Sequence, residues 1–155
     1  MSEGTSVVVR RAGVEDTDAV VTVLRRSITE LCVADHRNDP GVLGAWLENK
    51  TAENVRKWIE SPGNFMVVAE VGGAVCGVAS LGITGRILLC YLLPEVQSTG
   101  VGRALLAGLE AEARRQGIRE LSLESTVSAR GFYSKLGFRP NGGGPADSSL
   151  LSKVL

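Results

Sequence analysis

The sequence predicts one mixed α/β domain over residues 1–155, and two features carry that prediction. Short β-branched or apolar runs alternate with stretches of helical periodicity along the chain. The apolar run Ile87 to Leu93 is followed by an amphipathic helix and then by a further strand, a crossover that requires at least one parallel pair. With 155 residues and 44% hydrophobic side chains, the chain can bury about 70% of its unfolded surface and needs neither disulfide nor metal to hold a core.

Ser6 to Arg11 (SVVVRR) reads as the first strand. Gly13 and the acidic cluster Glu15, Asp16 and Asp18 then mark a helix start, where carboxylates suit the positive end of the dipole. Val20, Leu24, Ile28 and Leu31 share one face, which predicts a helix from Asp16 to Asp35, broken by the segment His36 to Gly41. A weaker helical stretch holds Val42, Leu43, Trp46 and Leu47. Thr51 caps the next helix, Glu53 lies in its first turn, and Ser61-Pro62-Gly63 stops it.

Phe65 to Val71 and Ala74 to Leu81 read as a hairpin, because Gly72-Gly73 supplies the positive φ angles of a two-residue turn. Ile87 to Leu93 (ILLCYLL) is continuously apolar, which predicts a central strand buried on both faces. From Val101 to Gln116 a helix presents Val101, Leu105, Leu109 and Ala113 on one face, carries Arg114 and Arg115 in its last turn, and is capped by Gly117. Arg119 to Glu124 alternates as a half-buried strand, and Ser128 to Leu136 is a short helix closed by Gly137. Two strands end the order, the last at Ser149 to Val154 after a Gly- and Pro-rich loop from Pro140 to Pro145.

Charge and composition exclude several classes of partner. Seventeen basic and seventeen acidic side chains give a net charge of zero, with no footprint for duplex nucleic acid or an anionic membrane. Two Trp, two Tyr and three Phe form no stacking pattern for single strands. Cys32, Cys76 and Cys90 are odd in number and widely spaced, fitting neither a disulfide framework nor a zinc site; a reducing cytoplasm is the expected home. The N-terminal residues lack a secretion signal, and no apolar run approaches the roughly 20 residues of a membrane span.

The segment Pro94 to Arg103 lies between the central strand and the long helix. At such a junction the first helical amides point outward unpaired, the dipole adds positive character, and glycines let an anion reach the backbone, so phosphate or pyrophosphate is the natural guest. The alternative is an ordinary glycine-bearing helix start, since 19 glycines make a chance G-x-G pair expected and Gly142-Gly143-Gly144 is another. A dinucleotide fingerprint would need a small residue where Leu105 stands, and a Walker loop would need Gly-Lys-Ser/Thr.

Gln97-Ser98-Thr99-Gly100-Val101-Gly102 resembles the Gln/Arg-x-x-Gly-x-Gly/Ala motif of the GNAT superfamily of acetyl-CoA-dependent N-acetyltransferases. Ala129, Phe132, Tyr133, Lys135, Gly137 and Phe138 match its second signature, Ala-x-x-Phe-Tyr-x-Lys-x-Gly-Phe, and the resemblance covers roughly Val7 to Leu155. It implies a central sheet of about seven strands with a splayed central pair, flanked by about four helices. It further implies acetyl-CoA as co-substrate, with pyrophosphate on the amides of Gln97, Ser98, Thr99, Gly100, Val101, Gly102 and Arg103, and pantetheine against the main chain of Leu92 and Leu93. Where the family often carries Asn, this chain has Thr126, a departure at the cofactor-binding turn.

The resemblance implies transfer of acetyl to a primary amine of a small molecule through a ternary complex, with Tyr133 as general acid for the leaving thiolate; packing is the aromatic pair's other role. A protein or peptide acceptor, or a catalytically inactive acyl-CoA-binding module, are the alternatives. No carboxylate or histidine lies on the central strand, which leaves Glu124 or His36 as candidate base, each with an ordinary reading as a solvated side chain. Ser27, Glu30, Leu31 and Ala34 share a helix side, with Asp35, His36 and Asp39 beyond. Glu30 and Asp35 are expected as charge partners of a small cationic acceptor and Trp46 as an apolar wall, against the reading of a solvated face. A homodimer is the favoured assembly, and no metal is expected.

Overall fold

A computed structural model describes residues 6–140 and 149–155. The loop expected from Pro140 to Pro145 lies, beyond Pro140, outside the described residues. Strand β1 (Val7–Arg11) leads into a 3-10 turn (Val14–Asp16) and helix α1 (Thr17–Leu31). The Asp16 carboxylate organises this corner, accepting from Arg10 Nη1 and Nη2 at 2.9 and 2.8 Å and from the Gly13 amide at 2.8 Å.

The helix expected from Asp16 to Asp35 is two. Cys32 leaves the helical region at φ −104° and ψ 27°, and α2 (Val33–His36) starts again beyond it. The cause is His36, whose ring turns back to the Ile28 carbonyl and is 1% exposed. Asp39-Pro40-Gly41 is a start as well as a stop: Asp39 Oδ1 accepts from the amides of Gly41 and Val42 at 2.9 and 3.1 Å, and Pro40 opens α3 (Pro40–Leu47). Thr51 caps α4 (Ala52–Glu60) as expected, accepting from Asn54 N at 3.2 Å.

Strands β2 (Asn64–Val71), β3 (Ala74–Gly82) and β4 (Ile87–Leu92) complete an antiparallel sheet in the order β1-β2-β3-β4. The β2–β3 turn holds Gly72 and Gly73 at φ 63° and 83°. Helix α5 (Val101–Arg115) crosses to β5 (Glu120–Glu124), and after α6 (Arg130–Lys135) the strands β6 (Arg139–Pro140) and β7 (Leu150–Val154) make a second sheet, β5-β7-β6. Among the described residues there are seven strands, as expected, and six helices instead of about four, because the first is split and α3 stands alone.

The crossover does set β4 and β5 parallel, but the pairing is a single bridge, Arg86 with Ser122, where the Ser122 amide donates to Gly85 O at 3.0 Å. Gly85 is obligatory there: φ is 90°, and a Cβ would lie 2.5 Å from the Glu120 carbonyl oxygen. Beyond this point the two strands splay.

Strand alternation sends side chains to two cores. Met66, Val68 and Val78 pack with Val20, Val23, Leu24 and Val55 of α1 and α4. Val67, Ala69 and Ala79 pack with Leu105, Leu106 and Leu109 of α5, and with Leu121, Phe138 and Leu151. The stretch buried on both faces is therefore the middle of β2 and β3. Strand β4, expected to be so, is only half buried, and Leu88 is 54% exposed, because its outer edge opens on the splay.

A candidate active cleft at the splayed strands

The splay opens a cleft of about 650 Å³. Its floor is β4; its walls include Leu123 and Glu124 of β5, Thr126, Ser128 and Ala129 of the following turn, Phe132 and Tyr133 of α6, and the glycine turn before α5. Leu31 and Cys32 also line it.

Pro94 stops β4 and opens a 3-10 turn (Pro94–Val96). The amides of Gln97 and Thr99 are then taken by Pro94 O and Val96 O at 3.2 and 3.3 Å. Ser98 and Gly100, at φ 64° and 95°, swing the chain into α5, whose first internal bond is from Ala104 N to Gly100 O at 3.0 Å. Among the described residues this leaves the amides of Ser98, Gly100, Val101, Gly102 and Arg103 without acceptors, at the positive end of a 15-residue helix. Gly100 has open space where a Cβ would stand, and Arg103 is exposed with no carboxylate partner among the described residues. The donor set fits an anion as large as a pyrophosphate.

The two motif glycines have different reasons. Gly100 carries the positive φ. Gly102 is buried, and a Cβ there would lie 2.9 Å from Phe132 Cζ and 3.3 Å from Leu92 Cδ2, so its bareness admits α6 and β4 to the helix start.

Along β4 the peptide groups alternate in direction. Leu93 N donates to Cys76 O at 2.8 Å, and Gly77 stands opposite Leu92, which turns the main chain of Leu92 and Cys90 to the open edge. Of the two residues expected to meet pantetheine, Leu92 thus offers free main-chain groups, whereas the Leu93 amide is already bonded.

Tyr133 is 6% exposed, its ring in edge contact with Phe132 and Phe138 at 5.2 and 5.6 Å. Its hydroxyl faces the Cys90 thiol of β4; burial first, and then Cys90, hold the phenol well above its ordinary value. Burial pushes the Cys90 thiol up to about 11. A proton therefore stays on both groups throughout the neutral range. Thr126 Oγ1 accepts from Ala129 N at 3.2 Å and so shapes the turn before α6.

The remaining expected residues are dispersed. Glu124 stands at the rim with a side chain 65% exposed, 3.9 Å from Arg86 Nη2. His36 is buried away from the cleft, donating from Nε2 to Ile28 O at 2.9 Å and accepting at Nδ1 from Asn38 N at 3.0 Å, so neither nitrogen remains for a proton relay. Glu30 is exposed and pairs with Arg26 at 3.0 Å. Asp35 accepts from the Val127 and Ser128 amides at 2.6 and 3.2 Å and from Ser128 Oγ at 2.7 Å, which leaves its carboxylate engaged with protein. Trp46 packs edge-on to His36 at 6.2 Å, and its indole N–H faces the Tyr91 hydroxyl.

Cys90, Tyr91 and Cys32 line the cleft and were not singled out as site residues from the sequence. The signal was present in ILLCYLL, where Cys90 and Tyr91 are the two side chains able to hydrogen-bond. Burial pushes Tyr91 up to about 12 and Cys32 to about 11.

Residues 33–146 match the family model described as the acetyltransferase (GNAT) domain. A Bacillus subtilis (strain 168) protein with a provisional acetyltransferase name is 34% identical over 62 residues, a match spanning 40% of this chain and 42% of that protein. Among solved structures, the GCN5-related N-acetyltransferase of Rhodopseudomonas palustris superposes with a TM-score of 0.85 at 21% identity, covering 100% of this chain and 99% of that one. The PaiA N-acetyltransferase of Thermoplasma acidophilum, solved with coenzyme A, gives 0.83 at 21% identity over 97% and 99%. The Salmonella typhimurium protein yncA, which carries a provisional acetyltransferase name and was solved with acetyl-CoA, gives 0.67 at 25% identity over 96% and 91%.

Proposed function

Because the chain belongs to the GNAT acetyltransferase family, we propose that it transfers an acetyl group from acetyl-CoA to a primary amine of a small molecule, with both substrates in the cleft at once. The observation that carries this reading is the row of five unpaired amides, Ser98 and Gly100 to Arg103, at the mouth of a cleft whose floor is the free edge of β4 and whose wall is Tyr133. The relatives solved with coenzyme A or acetyl-CoA support the same co-substrate.

Each part of the cleft has a task in this reaction. The amides and the Arg103 guanidinium hold the diphosphate of the nucleotide. Main-chain groups of Leu92 pair with the pantetheine arm, and an amide on the same edge receives the thioester oxygen. When bound, acetyl-CoA supplies the acetyl group already activated as a thioester. Tyr133 keeps a proton on its hydroxyl for the departing sulfur. Glu124 at the rim takes the amine's proton through water.

The acceptor end favours a small molecule over a polypeptide. The Asp35 carboxylate ties α2 to the 127–128 turn, beside Leu31, Cys32 and Ser128 of the cleft lining, and this tie across the acceptor end is what supports a compact acceptor. The test is incubation with isotope-labelled acetyl-CoA and either a small-metabolite extract or lysine-bearing peptides, read by mass spectrometry. Label on a small amine supports the reading. Label on peptides alone replaces it with a peptide acceptor, and a raised melting temperature without label transfer points to an acyl-CoA-binding module.

A further inference from the structure

The carboxylate of Asp35 and the buried ring of His36 lie on successive residues of α2, and each ties that short helix to a different neighbour. His36 fixes α2 to the end of α1 through Ile28 O. Behind it, Arg37 and Asn38 both hold positive φ, 52° and 57°, a conformation that residues with a Cβ avoid unless their surroundings impose it. The Asn38 amide bonded to His36 Nδ1 and the Asp39 amide bonded to His36 O keep this strained corner in place.

Asp35 then reaches across to a segment 92 residues further along the chain. Its two oxygens take the Val127 amide, the Ser128 amide and the Ser128 hydroxyl. From there a line of bonds continues to the phenol-bearing residue: Thr126 Oγ1 holds Ala129 N at 3.2 Å, and Ala129 O holds Tyr133 N at 3.1 Å. Helix α6 has six residues, too few to be stable by itself, so its direction is set from outside. The aromatic contacts of Tyr133 hold its ring, and Asp35 holds its beginning.

We infer that Asp35 is a positioning residue for acetyl transfer, a strap from the acceptor-side wall to the start of α6 that aims the Tyr133 hydroxyl into the cleft. The inference rests on the reading of Tyr133 as general acid. It replaces a charge partner for the acceptor with a charge that orders the enzyme, because both carboxylate oxygens already accept bonds from the protein. Loss of the strap should lower turnover while leaving acetyl-CoA binding as it was, because the unpaired amides of Ser98 and Gly100 to Arg103 make no bond to Asp35 or to the 127–128 turn.

Two measurements on the full chain test it. Amide hydrogen exchange across residues 126–136 should quicken at least tenfold in Asp35→Ala, with β2 and β3 unchanged; Asp35→Asn, which keeps one oxygen for the Val127 amide, should fall between. Unchanged exchange at residues 129–136 overturns the inference. The second is a cycle of Asp35→Ala, Tyr133→Phe and their double variant, read as label transfer from acetyl-CoA to a primary amine. Asp35→Ala should lose about tenfold in kcat with the acetyl-CoA KM unchanged, and should lose nothing further when Tyr133→Phe is present. Equal losses in both backgrounds mark a purely structural role and overturn it. If Tyr133→Phe alone keeps wild-type turnover, the general-acid reading beneath it fails, and that outcome is distinguished from failure of the strap by the exchange data.

Discussion

Replacing Gly102 by Ala sets two opposed effects against each other at the helix start. Ala is favoured over Gly in a helix by about 1 kcal/mol. The added methyl, however, would lie 2.9 Å from Phe132 Cζ, 3.2 Å from Phe132 Cε1 and 3.3 Å from Leu92 Cδ2, well inside the optimum of about 3.5–4.0 Å between carbons. Phe132 cannot turn freely, because its ring is in edge contact with Tyr133 at 5.2 Å. Overpacking of this kind costs about 1–3 kcal/mol, so the balance is a net loss of about 1 kcal/mol, or a melting temperature lower by about 2–4 °C. Movement of Phe132 also carries Tyr133, and misplacing the proposed general acid should lower kcat about tenfold. Differential scanning calorimetry and label-transfer kinetics read both quantities. A melting temperature raised by Gly102→Ala would show that propensity wins and that the close contact is not what requires glycine.

Other perturbations have equally definite outcomes. Asp16 is held below the usual carboxylate range, chiefly by Arg10. Its contribution is therefore complete above the unfolded value of about 3.9 and is lost as pH falls through the lower folded value; Asp16→Ala should cost about 2 kcal/mol at neutral pH and less in acid, seen by urea titration at several pH values. Because the Tyr133 phenol lies well above its ordinary value, kcat should not fall as pH rises through about 9 to 10, the range where a free phenol begins to ionise. Cys32 and Cys90, both near 11, should react with iodoacetamide at about pH 8 at least ~100-fold more slowly than free cysteine, measured by mass spectrometry. Glu30→Ala removes only an exposed pair with Arg26 and should leave the acceptor KM unchanged.

The parts legible in the sequence are those that short-range chemistry decides. Gly72-Gly73 marked its hairpin, Thr51 its helix cap and Gly117 the end of α5, each through a conformation or a bond between near neighbours. The glycine turn was readable because its unpaired amides follow from a strand, a proline and a helix in succession. What was not readable depended on distant partners. Nothing local shows that His36 will bury its ring on Ile28 and divide the first helix. Nothing near Asp35 announces bonds to residues 127 and 128, and its charge suggested a ligand instead. Strand β4 was misread as doubly buried because its apolar run is the same whether its outer edge is paired or faces a cleft.

The most direct test is Tyr133→Phe, which removes one oxygen and keeps the ring between Phe132 and Phe138. With labelled acetyl-CoA and the acceptor amine, kcat should fall about 100-fold, while the acetyl-CoA KM and the melting temperature stay near those of the wild type. A variant that turns over as fast as the wild type would contradict the assignment of the leaving-group proton to Tyr133, and with it the chemistry assigned to this wall of the cleft.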